Sequence, residues 1–254
     1  MVSNSQAAKK GAAQSRDSLL DMHASVRNAP PQERYKFKPY PGSSHLWALA
    51  ALEQFETDTR VLDIGSGSGA LGQALGERGY QHCVAVEVDS EARKCANEIY
   101  LKAYSSVHEL VGQQFEVILL LDVLEHIAHP AEFLKEVTEL LASNGQLLLS
   151  VPNVAHWSVR VPLLLGWFEY SERGIMDKTH LQFFTRRRLR KFLADFPELY
   201  TVDWDASVEP FQFVLPEWLW GNALFAPLVQ LRIWLGRKLP GLMAYQHLVA
   251  LRKR

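Results

Sequence analysis

Residues Arg60 to Ile64 form a short apolar run that passes straight into Gly65-Ser66-Gly67-Ser68-Gly69. Three glycines in five positions cannot prolong a strand, because each weakens it and admits positive φ. The chain must turn there, and Ala70 to about Arg78 then reads as a helix that Gly79 ends. A strand, a glycine turn and a helix in immediate succession restrict the fold to one in which helices cross over a sheet. Without Cβ atoms, the turn also lets backbone approach a ligand, and the next helix offers unpaired N–H groups to it. The competing reading is a tight turn that binds nothing.

The pattern repeats downstream. Cys83 to Val88 reads as a second strand leading to Asp89, Ser90 and a helix, and Ile99 to Ala103 reads as a weaker strand. Phe115 to Leu121 is a buried strand. Pro130 opens a helix with Phe133, Leu134, Val137, Leu140 and Leu141 on one stripe, and Asn144-Gly145 is its expected stop. Gln146 to Val151 is a further strand ending at Pro152-Asn153. Strands apolar on both faces that alternate with helices predict a doubly wound α/β domain with a mostly parallel sheet. No internal repeat is visible.

In such a sheet, ligands bind beyond the carboxyl ends of the strands, near the switch in strand order. Glu87, at the end of the second strand, stands where a carboxylate can accept hydrogen bonds from both hydroxyls of a ribose. A solvated strand-end acid is the bland alternative. Gly65, Gly67 and Ala70 also satisfy a dinucleotide fingerprint, so these residues alone do not separate nicotinamide cofactors from other adenosyl ligands.

The wider pattern does separate them. Val61 to Gly69, followed by Val86-Glu87-Val88-Asp89, resembles the first two motifs of class I S-adenosylmethionine-dependent methyltransferases. Leu121-Asp122-Val123-Leu124-Glu125-His126, then His129-Pro130, resembles their fourth-strand motif. Asn144 to Asn153 resembles their fifth-strand region, and Gly174 to Thr185 is similar to a segment of the ubiquinone-methyltransferase-like branch. The resemblance implies a seven-stranded Rossmann-like sheet with a helical lid insertion. It assigns Asp63, Gly65, Ser66, Gly67 and Gly69 to the methionine and ribose side of the cofactor. It gives Glu87 to the ribose hydroxyls and Val88 to the adenine, and it places Asp122 and Val123 beneath the sulfonium and amino group. An acid expected around Lys102 to Tyr104 is missing, with Tyr104 or Ser105 as substitutes. Relatives of this type accompany polysaccharide or secondary-metabolite pathways, which favours a small or carrier-linked acceptor methylated on O or N. A catalytically inactive cofactor-binding scaffold and a nicotinamide oxidoreductase are the alternatives. The second is disfavoured by the Leu-Glu-His and Pro-Asn motifs and by the lack of a Tyr-x-x-x-Lys arrangement.

A hydroxyl acceptor must lose a proton at or before attack, and imidazole suits that task. His180, in the lid, is the first candidate and His126 the second, each with structural anchoring as its alternative. Asp122, Glu125, His126 and His180 would together suit Mg²⁺ or Mn²⁺. A metal-free site is the expectation nonetheless, since Asp122 replaces the first Glu of the metal-using pattern. His156, Trp157 and Arg160 are candidates for the acceptor pocket or for plain helix packing.

The expected organisation is an N-terminal extension over 1–43, partly disordered, and a methyltransferase domain over 44–254. Within that domain, 58–152 is the cofactor core, 153–198 the lid, 216–239 an apolar helical segment and 244–252 a closing strand. The 254 residues carry a formal net charge of −1, which argues against a general affinity for nucleic acid. Cys83 and Cys95 lack the number and spacing of a disulfide framework or a zinc site. Those cysteines and the polar N-terminus suit a cytoplasmic protein. Residues 216–239 carry three tryptophans among many leucines, and contact with the inner face of a membrane is one reading of them. The basic run Thr185 to Lys191 reads as a solvated helix face, with phosphate or lipid-headgroup contact as the alternative. Oligomeric state is not legible in the sequence.

Overall fold

The computed structural model describes residues 36–208 and 226–254. Seven strands form one sheet: β1 (Val61–Ile64), β2 (Cys83–Val86), β3 (Lys102–Tyr104), β4 (Phe115–Leu121), β5 (Leu141–Pro152), β6 (Leu199–Ser207) and β7 (Gln246–Lys253). Their order is β3-β2-β1-β4-β5-β7-β6. The first five run parallel, while β7 lies antiparallel between β5 and β6. Strand order therefore reverses between β1 and β4, and the glycine turn and Asp122 leave the sheet on either side of that switch.

Side chains alternate across the sheet. Leu62, Ile64, Ile118, Leu120, Leu147 and Leu149 join one apolar layer, closed by α4 (Pro130–Glu139) through Leu134 and Val137. Val61, Ala85, Val117, Leu119 and Leu148 join the other, under α1 (Ser44–Leu52) and α2 (Ala70–Gly76). Helix α3 (Ser90–Ala96) is capped by Asp89, whose carboxylate accepts from the amides of Glu91 and Ala92.

Two boundaries differ from the sequence expectation. Helix α4 ends at Glu139, short of Asn144-Gly145, because Leu141 already pairs with Phe115 in the sheet. Its apolar stripe served both elements, so periodicity alone ran past the end. Strand β3 starts at Lys102, since Ile99 and Tyr100 are spent packing against the glycine turn and α2.

The lid contains α5 (Trp157–Leu164) and α6 (Arg186–Leu193). Asn153 ties its base to the C-terminal region, with Nδ2 donating to the carbonyls of Ala244 (2.8 Å) and Pro240 (3.2 Å). Of the apolar segment, 226–239 is described and contains α7 (Ala226–Lys238), followed by α8 (Pro240–Met243). Residues 1–35 of the N-terminal extension and 216–225 lie outside the described residues. No described helix is long and apolar enough to cross a membrane.

Candidate active site

The glycine turn is built by reaching from β1 to β2. The Gly65 amide donates to the Val86 carbonyl at 2.8 Å. Gly65 has φ +77°, and a Cβ there would stand 2.4 Å from Val123 Cγ2, so only glycine fits between the two strand ends. Glu87 then fixes the loop. Its Oε2 accepts from the Gly67 amide at 2.7 Å and its Oε1 from the Asp89 amide at 2.8 Å. Gly69 has a structural part in the turn. It lines neither of the cavities described below, and it caps α2 at a point where a Cβ would lie 2.7 Å from Ile99.

A cavity of about 920 Å³ opens from this turn. It is lined by Gly65, Glu87, Val88, Ser105 and Val123, together with His126 and the lid residues Arg173, Asp177 and Thr179. Val88, 82% exposed, stands in it as a bare apolar surface. Ser105 lines the cavity and Tyr104 does not; the Ser105 amide and hydroxyl both donate to Glu109 Oε1. Behind the turn lies a smaller cavity of about 270 Å³, lined by Lys38, His45, Asp63, Ser66 and Gly67, and sharing Gly65 and Asp122 with the first.

Asp63 is buried beneath the turn and accepts a 2.5 Å hydrogen bond from the Tyr100 hydroxyl. Burial pushes its carboxyl up to about 6, against the Tyr100 bond and with help from the charge of Glu87. Asp122 adopts φ +57° just beyond β4. Its carboxylate is held by Lys38 Nζ (2.8 Å), Ser150 Oγ (2.6 Å) and Gln246 Nε2 (2.5 Å). Burial would raise its pKa, but the Lys38 charge and these bonds leave it below the ordinary carboxylate range. Lys38, Tyr100, Ser150 and Gln246 escaped the sequence reading. Ser150 and Gln246 belong to strands and Lys38 and Tyr100 to connecting segments, and only the fold brings them to the two carboxylates.

The lid is pinned to the turn after β4, where the Glu125 carbonyl accepts from the amides of Leu181 (2.8 Å) and Gln182 (2.9 Å). His126 and His180 meet edge to face, with ring centroids 4.8 Å apart. His126 lines the large cavity; His180, buried behind it, does not. His180 Nδ1 donates to the Ile175 carbonyl at 3.0 Å, which leaves Nε2 with its lone pair. Burial and the nearby His126 lower the His180 pKa. Both carboxylate oxygens of Glu125 are buried without a hydrogen-bond partner, and burial with the charge of Asp122 holds this acid well above its usual range. Ligand atoms of Glu125, His126 and His180 lie within 4.8 Å of one another. Asp122, grouped with them by sequence, is instead occupied by Lys38, Ser150 and Gln246.

His156, Trp157 and Arg160 do not line the large cavity. His156 caps α5 through Ser158, and the Arg160 guanidinium donates to the Gly241 carbonyl at 3.1 Å.

Fold and site together define an α/β domain that carries an adenosyl-type pocket at its topological switch point. The sequence pattern of the methyltransferase domain family matches residues 43–196, well over half of the chain, and the chain belongs to that family. It falls among the class I S-adenosylmethionine-dependent members of the ubiquinone-methyltransferase-like type. The ubiquinone biosynthesis O-methyltransferase of Caulobacter sp. (strain K31) is 30% identical over 169 residues, which cover 58% of this chain and 66% of that protein. The corresponding enzyme of Bradyrhizobium diazoefficiens is 29% identical over 164 residues, covering 60% and 63%. The chain thus spans just under two thirds of the length of these relatives. Among solved structures, the N-methyltransferase NodS from Bradyrhizobium japonicum WM9, in complex with S-adenosyl-l-homocysteine, shares the fold with TM-score 0.56 and 14% identity. That match covers 92% of this chain and 97% of NodS.

Proposed function

We propose that this chain transfers a methyl group from S-adenosylmethionine to an oxygen or nitrogen of a small or carrier-linked acceptor. The observation that carries the proposal is the Glu87 carboxylate. It closes the glycine turn and faces the large cavity, so the same group that shapes the loop can accept from a ribose diol. The rest of the cradle fits the same cofactor. Val88 offers an apolar face for a base, Ser105 stands beside it, and Asp63 and Asp122 supply negative charge for an ammonium group. The missing Cβ of Gly65 keeps the floor open beside Val123. When bound, S-adenosylmethionine supplies a methyl group already activated by the sulfonium charge. The protein's own work is to align the acceptor, exclude water and take a proton. His126, on the cavity wall, is placed to receive that proton, and His180 holds its ring from behind.

Calorimetric titration with S-adenosylmethionine, S-adenosylhomocysteine and NADH, repeated on Glu87→Ala, tests this. Micromolar binding of both adenosyl ligands, lost in the variant, supports the reading; binding of NADH alone overturns it. Retention of the chain's biological role in Glu87→Ala would instead indicate a scaffold.

One observation favours a second reading of the acceptor side. An orphaned buried carboxylate beside two imidazoles fits a divalent cation, and Glu125, His126 and His180 would hold it. Such an ion would bind an acceptor hydroxyl and lower its pKa.

The same proposal places the enzyme in the cytoplasm, working at the inner face of the membrane on a hydrophobic or lipid-linked acceptor. Exposed Trp157, Leu164, Trp167 and Phe168 of the lid, with Leu231 and Trp234 of α7, support the membrane contact.

A further inference from the structure

A further pocket, of about 430 Å³, shares no residue with either cavity of the active site. It is lined by Ala155, Arg160, Thr185, Arg186, Arg187, Arg190 and Gly241. Four of its seven residues are arginines and none is an acid. Among the described residues, none of the four arginines has a carboxylate partner.

This concentration of charge is unfavourable as it stands. Arg186 and Arg190 lie over the same ring, that of Trp204, with their guanidinium carbons 5.4 and 5.8 Å from its centroid. Burial and the charge of Arg190 both work against the protonated form of Arg186. Arg186 Nε is buried and has no hydrogen-bond partner. Behind the pair, His247 is buried, and its pKa is lowered to about 4 by burial and the charge of Arg186, so it stays neutral and adds no further positive charge. Like charges held together around a cavity, with a donor left unspent, form a site that an anion would complete. The first turn of α6 contributes to the same wall; the Arg188 amide is capped by Thr185 Oγ1, and the amides of Arg186 and Arg187 have no intrahelical acceptor.

We propose that this pocket binds the phosphate or diphosphate group of an amphiphile, at a site separate from the one where the methyl group moves. Planar guanidinium forks match phosphate oxygens in pairs, and four of them exceed what a single carboxylate needs. The amphiphile is indicated by the surroundings. Arg160 sits on α5 next to the stripe Trp157, Val161 and Leu164, all exposed, with Leu164 85% exposed. Gly241, whose carbonyl accepts from Arg160, lies between the exposed Leu239 and Leu242. A charged floor with apolar banks suits a phosphate headgroup whose hydrocarbon part continues outward. The pocket itself uses no residue of the methyl-transfer site, while its apolar banks share Trp157 and Leu164 with the membrane contact proposed above.

The test is co-sedimentation of the full chain with phosphatidylcholine vesicles, with and without phosphatidylglycerol, alongside calorimetric titration with inorganic pyrophosphate. The variants are R190E, R187E and, as an equal change of charge on the same helix outside the pocket, K191E. The wild type should bind the anionic vesicles, and R190E and R187E should each weaken that binding at least tenfold. K191E should change it less than threefold, and S-adenosylhomocysteine binding should be unchanged in all three. Pyrophosphate binding without vesicle binding, lost in R187E and R190E, supports the pocket and identifies a soluble phosphate source. The proposal fails if neither probe binds, if neutral vesicles bind as well as anionic ones, or if K191E weakens binding as much as R190E. R187E, on the exposed side of the helix, keeps the test decisive should R190E loosen the packing on Trp204.

Discussion

Lys38 Nζ lies 2.8 Å from Asp122 Oδ2, joining the segment that precedes α1 to the turn after β4 across 84 residues of chain. The Lys38 backbone is fixed independently, its amide donating to His45 Nδ1 (3.2 Å) and its carbonyl accepting from Ser43 Oγ (2.7 Å). Burial and the Lys38 charge lower the His45 pKa to about 3, so His45 is a neutral acceptor here. A cofactor whose amino-acid tail carries one ammonium and one carboxylate would divide this pair, the ammonium going to Asp122 and the carboxylate to Lys38.

Lys38→Met should therefore weaken binding of S-adenosylhomocysteine by about two- to fivefold, the worth of one partly exposed ion pair. Binding of 5′-methylthioadenosine, which lacks the tail, should be unchanged. Titration of both ligands decides the matter, and equal losses would make Lys38 a strap for the fold rather than a tail contact.

Glu87 does two jobs, so its two obvious replacements should behave differently. Glu87→Ala strands the buried Gly67 amide, at a cost of about 1–3 kcal/mol. That should lower Tm by about 2–10 °C in a protein of this size. Glu87→Gln keeps one acceptor for the two amides and should lose less stability. Both should bind S-adenosylhomocysteine about 100-fold more weakly, since two charge-assisted bonds to the ribose are gone or halved. A Glu87→Ala protein that binds within threefold of wild type would remove the ribose assignment.

What the sequence disclosed, and what it hid, divide along a physical line. The strand–glycine–helix succession at Val61 to Gly76 is local, and the β1–α2 unit formed where its residues demanded. Glu87 was legible because the second strand of such a fold ends at one place only. The partners of Asp122 were not, because Ser150 and Gln246 come from β5 and β7 and meet it only when the last strand inserts antiparallel beside β5. Nor does a sequence show depth. The sequence ranked His180 ahead of His126 as the base, and only the folded lid sets His126 on the cavity wall and His180 behind it. The basic run at Arg186 to Lys191 read as a solvated face, yet helical spacing and Arg160 of α5 turn part of it into the wall of a pocket.

Asp63 should give the fold a measurable pH dependence. Its native pKa, about 6, lies above the ordinary aspartate value of 3.8. Between those values the folded protein retains a proton that the unfolded chain has released. Stability from this group is therefore full below about pH 4, falls as pH rises to about 6 and is level above. Its total is about 3 kcal/mol at 1.36 kcal/mol per unit. Tyr100, whose hydrogen bond favours the ionised form, limits the loss. Tyr100→Phe should consequently destabilise the protein by about 1–2 kcal/mol more at pH 8 than at pH 5, by urea unfolding. An equal loss at both pH values would mean that Asp63 is not ionised in the native state at pH 8.

The buried Glu125 carboxylate allows the two readings of the acceptor side to be told apart without knowing the acceptor. If it is simply a protonated acid packed behind His126, Glu125→Gln should fold with equal or greater stability, and the protein should take up no cobalt at stoichiometric levels. If instead it is one of three ligands, the wild type should bind one equivalent of Co²⁺ or Mn²⁺ by calorimetry. Ligand atoms up to 4.8 Å apart must then draw together around bonds of about 2.0–2.2 Å. Binding an ion to the native state alone stabilises it, by about 2.7 kcal/mol at a concentration 100 times Kd, so Tm should rise on adding metal. Glu125→Gln, His126→Ala and His180→Ala should each abolish that rise, because losing any one of three ligands leaves too few. A rise that survives His180→Ala would place the ion elsewhere and return His180 to the role of positioning His126.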